Sequence, residues 1–438
     1  MRDIGLALFI FGMIPFILIR PYVGLLVWSW LGYMNPNRLC YGFAYNFPWV
    51  ELIAIVTIAS LLLSKESKRI PWSAISVMLV MFLLWTGLAT FFAAVPDSAW
   101  EKWMEFAKIL IMVFVTLILV NNRERMHLLV WMIVVSLGFY GFKGGVFTIL
   151  RGGASHVFGP PASFIADNNA LALALCMTLP LMRYLQLHSS SKFVRTGLSF
   201  GMLLTGIAVL GTYSRGGLIA LTIVAGALFL KSRRRVGIVL IVLALGMVAG
   251  HFMPPKWIAR MDTLHHATET GSGESRIQSW EFSANVALHH PFFGGGFNVY
   301  QSRAMWAQYG PEGAHQIAVH SIYFRVLGEQ GFPGLILFLA LLAASWRSCS
   351  QVRKMTRDLS GFKWAYDLAS MLQVALLAYM AAGAFLPMTY FDLTYQLMAL
   401  CAILRLHVAG SVMQSSVESN GRAQVLAGHS HTSQAASG

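Results

Sequence analysis

His320 occupies the junction between a polar segment and an apolar helix, in the sequence HSIYFRVLGEQGFPG that ends at Gly334. Gly331 and Gly334 allow a close backbone approach and a tight turn, and Pro333 suits the first turn of a helix. A neutral imidazole held at such a junction can accept a proton from a hydroxyl group near neutral pH. Two interpretations are therefore open for His320: a general base, or an interfacial cap of the following helix.

Two arginines lie in sequence surroundings that leave room for a ligand. Arg215 occurs in GTYSRGG and Arg276 in GSGESR, so both have Gly and Ser neighbours. A guanidinium group is always charged and pairs bidentately with phosphate. The simpler interpretation of Arg215 is a side chain that reaches from a membrane boundary into water. Because that role requires no small neighbours, the pattern favours a site for a lipid-linked phosphate, formed by both arginines and His320.

Three further polar residues are candidates for supporting roles at this site. Ser321 follows His320 directly, and Asn169 belongs to an Asn-Asn pair that is predicted to cap the next helix as an N-cap. Lys143 lies in the apolar sequence FKGGVF, where it either extends towards water or helps to hold a phosphate. The sequence does not decide between these two interpretations of Lys143.

The region around His320 is rich in histidine but lacks the spacing of a metal site. Seven of the 13 histidines lie at or between positions 251 and 320. His265 and His266, or His289 and His290, could join acidic neighbours, but no HxxxH or HExxH pattern occurs. We therefore interpret them as surface residues of a polar segment, and the sequence predicts neither a metal nor another cofactor.

The composition indicates the kind of protein that must position these residues. The 438 residues are 57% hydrophobic and only 11% charged, and a soluble domain cannot bury so much apolar surface. The chain is therefore predicted to be an all-α polytopic membrane protein that contacts membrane lipids. Its net charge of +14 would suggest nucleic acid in a soluble chain, but here the distribution of Lys and Arg explains it better.

Apolar runs long enough to cross ~30 Å of hydrocarbon predict about 12 transmembrane helices. The predicted spans are 4–34 (bent or re-entrant at Arg20-Pro21), 48–64, 74–94, 103–120, 127–149, 169–187, 196–213, 216–230, 236–253, 332–346, 366–387 and 393–408. Within 103–120, Glu105 and Lys108 are three residues apart and are predicted to form an ion pair.

Basic residues then assign the connecting segments to the two sides of the membrane. One alternate set of loops contains 17 Lys and Arg, whereas the short loops of the other set contain 4, so the first set is predicted to be cytoplasmic. Both termini are then expected inside. A transmembrane domain of residues 1–408 carries an inserted outer loop, 254–331, with short helices. The polar tail 409–438 is predicted to be cytoplasmic and disordered.

An outer site limits the reaction, because no ATP is available there and the sequence contains no P-loop. A transferase on that side needs a donor that carries its own leaving group, such as a sugar on a polyprenyl diphosphate. Histidine would deprotonate the acceptor hydroxyl, and the arginines would stabilise the departing diphosphate. The main alternative of another class is a transporter for polyprenyl-linked glycans, which usually has related halves and a site at mid-membrane. A metal-dependent oligosaccharyltransferase would need early acidic ligands, and the first outer loops offer mainly Asp97 and Glu101.

The motifs resemble those of the O-antigen ligase / Wzy-type polymerase superfamily. His320-Ser321, nine residues and then Gly331-x-x-Gly334 is similar to its signature, and Arg215 and Arg276 are similar to its two periplasmic arginines. Asn169-Ala-Leu-Ala172 resembles an element of the same family that opens a helix. The resemblance covers about residues 159–334.

This resemblance implies a multi-pass glycosyltransferase of the bacterial inner membrane, with a periplasmic site and no metal. It would transfer O-antigen from undecaprenyl diphosphate to a sugar hydroxyl of the lipid A-core, with inversion. His320 would be the base, and Arg215 and Arg276 would hold the diphosphate. Close relatives polymerise O-antigen units or glycosylate proteins, and the shared motifs do not separate these activities. One large outer loop, without a second Arg-rich loop, favours an O-antigen ligase over a polymerase.

Overall fold

The structure is a computed structural model that describes residues 1–231, 240, 243, 245–247, 250, 253–262 and 271–435. All regular elements among these residues are helical, which confirms the all-α prediction. The α-helices are α1 (Arg2–Ile19), α2 (Pro21–Met34), α3 (Trp49–Leu63), α4 (Ala74–Phe91), α5 (Pro96–Leu119), α6 (Arg123–Leu150), α7 (Asn168–His188), α8 (Lys192–Gly211), α9 (Arg215–Lys231), α10 (Pro255–Asp262), α11 (Gly271–His289), α12 (Arg303–Tyr309), α13 (Ile322–Thr356), α14 (Lys363–Gly383) and α15 (Asp392–Ala435). Short 3₁₀ helices lie at Pro36–Leu39, Phe43–Tyr45, Val299–Gln301 and Ser360–Phe362.

Eight of the described helices are long and apolar enough to cross a membrane, so the chain is a multi-pass membrane protein. They are α1, α4, α6, α7, α8, α13, α14 and the first part of α15. The helix α5 is long enough but carries several charges in its first half, and α2, α3 and α9 are shorter. The count of 12 spans stays a prediction, and the predicted span 236–253 lies largely outside the described residues.

The predicted span 4–34 consists of two antiparallel helices. The chain breaks at Arg20, whose extended backbone precedes Pro21 at the start of α2. The Asp3 carboxylate accepts hydrogen bonds from the backbone N–H groups of Gly42 and Ala44, at 2.8 and 3.2 Å. At the other end of α1, the Ser60 hydroxyl donates to the Ile17 carbonyl at 2.6 Å. Residue 3 therefore lies beside the segment that joins α2 and α3.

This arrangement corrects the predicted position of the N-terminus. We call the end of the bundle that carries residues 92–95, 212–214 and 384–391 the outer end, and the opposite end, with 65–69, the inner end. The Tyr22 hydroxyl donates to the Arg125 carbonyl at 2.6 Å, so the turn at Arg20 lies at the inner end. The N-terminus lies at the outer end, and the prediction that it shares the inner side with 65–69 was wrong. The error arose because residues 4–34 were counted as one bent span, whereas they form two helices that run in opposite directions.

The core of the bundle is formed by α7, which is almost entirely buried. It packs against α6, α8, α9 and α14. Its sequence NNALALALCM is rich in Ala and Leu, which are good helix formers, and it is apolar on every side, as a helix surrounded by other helices must be. By contrast, α1 is largely exposed, as expected of a helix that faces lipid. The beginning of α7, at the outer end, is therefore held rigidly.

A kink divides α13 into two helical segments, 322–330 and 332–356. Gly331 has φ +67° and ψ −171°, a conformation that favours glycine. A Cβ atom there would lie 2.2 Å from the Phe292 carbonyl oxygen, so the backbone at 291–292 crosses directly against it. The Phe332 N–H donates to the Pro291 carbonyl at 2.9 Å. The predicted tight helix entry at Gly331-Phe-Pro-Gly334 is confirmed, but 322–330 is an additional helical segment in front of it.

The outer segment between α10 and α13 contains the helices α11 and α12, and α11 packs against α13. At the other end of the chain, α15 continues to Ala435 through the segment for which the sequence predicts a disordered tail. The boundaries of that tail and its cytoplasmic position stay predictions.

Candidate active site

His320 lies immediately before α13, and the residue that caps this helix is Ser321. The Ser321 hydroxyl accepts a hydrogen bond from the Phe324 N–H at 3.5 Å, and its side chain is buried. The capping role that the sequence left open for His320 therefore belongs to its neighbour. The imidazole of His320 is half-buried and remains available for other chemistry.

The helix α11 brings Arg276 to His320. Trp280, one helical turn after Arg276, donates its indole N–H to the His320 carbonyl at 3.3 Å. The Trp280 ring also stacks on Phe324, with centroids 5.2 Å apart and planes 7° from parallel. This contact fixes α11 against the first turn of α13, so Arg276 lies close enough for its charge to act on His320.

The surroundings of His320 keep its imidazole neutral. Burial is the main cause that lowers its pKa below the ordinary value, and the positive charge of Arg276 is the next. Arg325 acts in the same direction, whereas the negative charge of Asp167 partly opposes them. A histidine with a lowered pKa is in the proton-accepting form at neutral pH.

Arg215 is the first residue of α9 and follows a tight turn. Tyr213 has φ +58°, and the Ser214 hydroxyl accepts a hydrogen bond from the Gly217 N–H at 3.0 Å, as an N-cap does. The Asn168 amide donates to the Thr212 carbonyl at 2.7 Å and joins the turn to the start of α7. An arginine at a helix N-terminus adds its charge to backbone N–H groups that already favour anions.

The outer end of α14 connects the region of Arg215 to that of His320. A Cβ atom on Gly216 would lie 3.9 Å from the Ala382 carbonyl oxygen, and one on Gly383 would lie 2.7 Å from the Ile322 side chain. In addition, the Tyr323 hydroxyl donates to the Met380 carbonyl at 2.9 Å. The first turns of α9 and α13 therefore pack on the same few residues of α14, and three distant parts of the sequence meet at the outer end.

Asn169 and Lys143, the remaining supporting candidates, differ in their positions. The N-cap of α7 is Asp167, whose carboxylate accepts from the N–H groups of Asn169 and Ala170, so the predicted Asn-Asn cap was wrong by one residue. Asn169 is half-buried in the first turn and donates to Asp167 at 3.0 Å. Lys143 is exposed and lies within α6, whereas the other candidates lie at helix starts.

The segment that follows His320 contains a buried ion pair that the sequence analysis did not predict. The Arg325 Nε donates to Glu329 Oε1 at 3.0 Å, one helical turn apart on segment 322–330. Tyr390 donates to the other oxygen of Glu329 at 2.7 Å, and Asn298 donates its backbone N–H to Oε1 at 3.1 Å. The i, i+4 spacing of Arg and Glu in HSIYFRVLGEQ was the available signal.

The same network ties segment 322–330 to distant parts of the outer end. Arg325 also donates to the Pro387 carbonyl at 3.2 Å and to the Asn298 side chain at 3.3 Å. Asn298 in turn donates to the Ser98 hydroxyl at 2.9 Å. Because buried charges are tolerated only with such complete pairing, this network holds the segment that begins at His320 in one position.

Other predicted polar groups have structural partners. Glu105 pairs with Lys102 at 2.7 Å, and Lys108 pairs with Glu51 at 3.7 Å, so the predicted pair of Glu105 and Lys108 was wrong. His289 hydrogen-bonds the Asn285 carbonyl, and His290 hydrogen-bonds the Tyr309 hydroxyl. Within the described residues, no group of three or more His, Cys, Asp or Glu is placed to hold a metal ion. Histidines 251, 265 and 266 lie outside those residues, and the absence of a metal stays a prediction.

Comparison with known families matches two parts of the chain. Residues 200–339 match the family described as O-antigen ligase, and residues 1–190 match a family of unknown function (DUF5935). The chain matches no curated protein. The first match includes Arg215, Arg276, His320 and the kink at Gly331, and it confirms the resemblance inferred from these motifs. Asn169 and Lys143 fall in the part whose family has no known function.

Proposed function

We propose that this chain, which carries an O-antigen ligase domain and belongs to the O-antigen ligase / Wzy-type superfamily, transfers a glycan from undecaprenyl diphosphate to the lipid A-core. The reaction takes place at the outer end, on the periplasmic side of the bacterial inner membrane. It needs no metal and inverts the configuration of the transferred sugar. The observation that carries this proposal is the contact between Trp280 and His320, which brings a guanidinium group beside a neutral histidine.

His320 is the general base in this proposal. Its neutral imidazole takes the proton from an acceptor hydroxyl, and that oxygen forms the new bond to the anomeric carbon of the donor sugar. The bond between this carbon and the diphosphate oxygen breaks at the same time, and the electron pair leaves with the diphosphate. The proton on the imidazolium then passes to water. Attack opposite to the leaving group gives inversion.

Arg215 and Arg276 bind the diphosphate. The charge on its leaving oxygen grows as the sugar departs, and guanidinium groups fixed at that position stabilise the transition state more than the ground state. The N-terminus of α9 supports this role, because its backbone N–H groups and Arg215 favour the same anion. Asn169 and Ser321 act through the helix starts that they stabilise.

Deletion of the gene from its own host tests the reaction and the acceptor together. An O-antigen ligase mutant should show lipid A-core without O-antigen on a lipopolysaccharide gel, together with accumulated undecaprenyl-linked glycan. A core that carries a single glycan unit would instead indicate a polymerase. Unchanged lipopolysaccharide with loss of glycan from proteins would indicate a protein O-oligosaccharyltransferase, and no change in any glycan would contradict the proposal.

A further inference from the structure

A cavity of about 530 Å³ opens at the outer end beside the turn that precedes Arg215. Its volume lies within the range of about 300–1,000 Å³ that is usual for small-molecule sites. Three separate segments form it: the connection between α6 and α7, the turn between α8 and α9, and the start of α10. The described residues that line it are Ala154, Ser155, His156, Phe158, Tyr213 and Lys256.

We propose that this cavity binds an acidic saccharide, a sugar residue that carries a carboxylate or phosphate group and belongs to one of the two glycan substrates. This inference rests on the proposed function and adds a subsite to it. Among the residues that the structure describes, no acidic side chain lines the cavity, and Lys256 supplies a positive charge on an exposed side chain. The lysine ammonium is a mobile point charge that suits an anion on a flexible glycan.

The aromatic residues of the cavity provide surfaces for the sugar ring itself. The rings of His156 and Tyr213 meet edge to face at right angles, with centroids 4.2 Å apart. The His156 and Phe158 rings meet in the same way, with centroids 5.9 Å apart. Sugar rings present C–H groups on their faces and hydroxyls at their edges, so they pack on aromatic rings that also offer polar atoms. The combination of these rings with Lys256 therefore fits a charged sugar better than an apolar ligand.

The walls of the cavity are fixed in position, which favours binding without reorganisation. The buried Tyr213 hydroxyl donates to the Gly153 carbonyl at 2.6 Å, and the Val157 N–H donates to the Gly211 carbonyl at 2.9 Å. The Trp257 indole N–H, next to Lys256, donates to the Leu210 carbonyl at 3.0 Å. All three segments are thus tied to the end of α8.

The position of the cavity connects it to the reaction. Tyr213 lies in its wall, and Arg215, the proposed diphosphate ligand, lies two residues further along the same turn. A glycan whose reacting sugar lies at Arg215 and His320 has neighbouring residues that can extend into this space. Both the donor glycan and the acceptor core meet this condition, so the experiment must separate them.

Binding can be measured without any transfer reaction, on full-length protein in phospholipid nanodiscs. Saturation-transfer NMR with galacturonate and galactose as probes should show the acidic sugar bound more tightly. Lys256→Glu should weaken galacturonate binding about tenfold, which corresponds to the loss of one charged hydrogen bond of about 1.4 kcal/mol. Phe158→Ala should weaken both sugars. The matched controls are Arg303→Glu, the same charge change at an exposed outer position, and Phe43→Ala, an equally exposed ring.

Transfer assays on the same variants identify which substrate uses the cavity. If Lys256→Glu raises the KM for the acceptor and leaves kcat and the donor KM unchanged, the acceptor glycan lies in the cavity. A rise in the donor KM alone assigns it to the donor glycan. The proposal is overturned if galacturonate binds no better than galactose, or if Lys256→Glu behaves like Arg303→Glu in both assays. Lys256-dependent binding by a protein that transfers no glycan would refute the proposed function and leave the saccharide site intact.

Discussion

The two ends of the helix bundle each hold an arginine–glutamate pair, but in different surroundings. At the outer end, the side chains of Arg325 and Glu329 are 10% and 1% exposed, and their Nε and Oε1 atoms lie 3.0 Å apart. At the inner end, Arg125 and Glu66 are 22% and 23% exposed, and Arg125 makes two hydrogen bonds to Glu66, at 2.6 and 2.8 Å. The inner pair has the shorter nitrogen–oxygen distances, but we expect the loss of the outer pair to destabilise the fold more.

The difference follows from what each charge would contact if its partner were removed. Hydrogen bonds from Arg125 lower the pKa of Glu66, but water can solvate either group of this pair. Arg325 and Glu329 are enclosed by Asn298, Tyr390 and the Pro387 carbonyl, so neither could be solvated alone. The outer end uses buried charge to fix the segment that starts at His320, whereas the inner end uses charge at its surface.

The largest expected effect comes from the histidine of the outer end. His320→Ala should reduce glycan transfer by about 10²–10⁴-fold, because it removes the proposed base while the cap Ser321 and the arginines remain. His188→Ala is the matched change at the inner end, where His188 pairs with Asp367 at 3.0 Å. Transfer by purified variants, normalised to the amount of inserted protein, is the measurement. Equal losses for both variants would mean that the ends do not differ in chemistry.

The next largest effect concerns stability and addresses the two ion pairs directly. Glu329→Gln should lower the free energy of unfolding by about 3–5 kcal/mol, because Arg325 is left as an uncompensated buried charge. The same substitution at Glu66 should cost about 1 kcal/mol or less. Thermal unfolding of both full-length variants in one detergent compares them. A Glu66→Gln variant that unfolds as early as Glu329→Gln would remove the distinction.

Features of the outer end that depend only on neighbouring residues in the chain were predictable from the sequence. The helix entry at Gly331, the turn before Arg215 and the position of His320 all follow from glycine, proline and serine at particular positions. These rules act over a few residues, so a single sequence is enough to apply them.

Features that depend on distant partners were not predictable. The Glu329 carboxylate accepts hydrogen bonds from Asn298 and Tyr390, which lie 31 and 61 residues away in the chain. Likewise, α1 and α2 are both apolar throughout, so their hydropathy does not reveal that the chain reverses at Arg20. The contacts of Asp3 with Gly42 and Ala44 reveal that reversal, and they exist only in the packed bundle.

A smaller effect is expected when lysine replaces Arg215 or Arg276, because lysine keeps the positive charge but lacks the planar guanidinium group. Arg215→Lys and Arg276→Lys should each reduce transfer about tenfold or more, since an ammonium group cannot make the bidentate contact with phosphate. At the inner end, Arg353 donates to Gln373 at 2.9 Å, and Arg353→Lys should leave transfer nearly unchanged. Rates at saturating acceptor would be compared. Wild-type rates for both outer variants would exclude the diphosphate role.

The smallest expected effect is a shift of the pH profile, and it tests which charges surround His320. A general base must be neutral, so transfer should fall as the pH drops through the pKa of His320, which burial and Arg276 hold below the ordinary value. Asp167 opposes this lowering. Asp167→Asn removes a negative charge, further lowers the pKa of His320 and should move the acidic limb of the profile to lower pH.

The same profile also separates this electrostatic effect from structural damage. Asparagine caps helices about as well as aspartate, so Asp167→Asn should keep the start of α7 intact and leave the rate on the alkaline plateau unchanged. Arg276→Gln removes a positive charge and should move the acidic limb to higher pH, even though its plateau is lower because a phosphate ligand is lost. Opposite shifts in the two variants require a titrating group between Asp167 and Arg276, which is where His320 lies. Limbs that stay at the wild-type pH in both variants would assign the titration to another residue, and His320 would lose its role as the base.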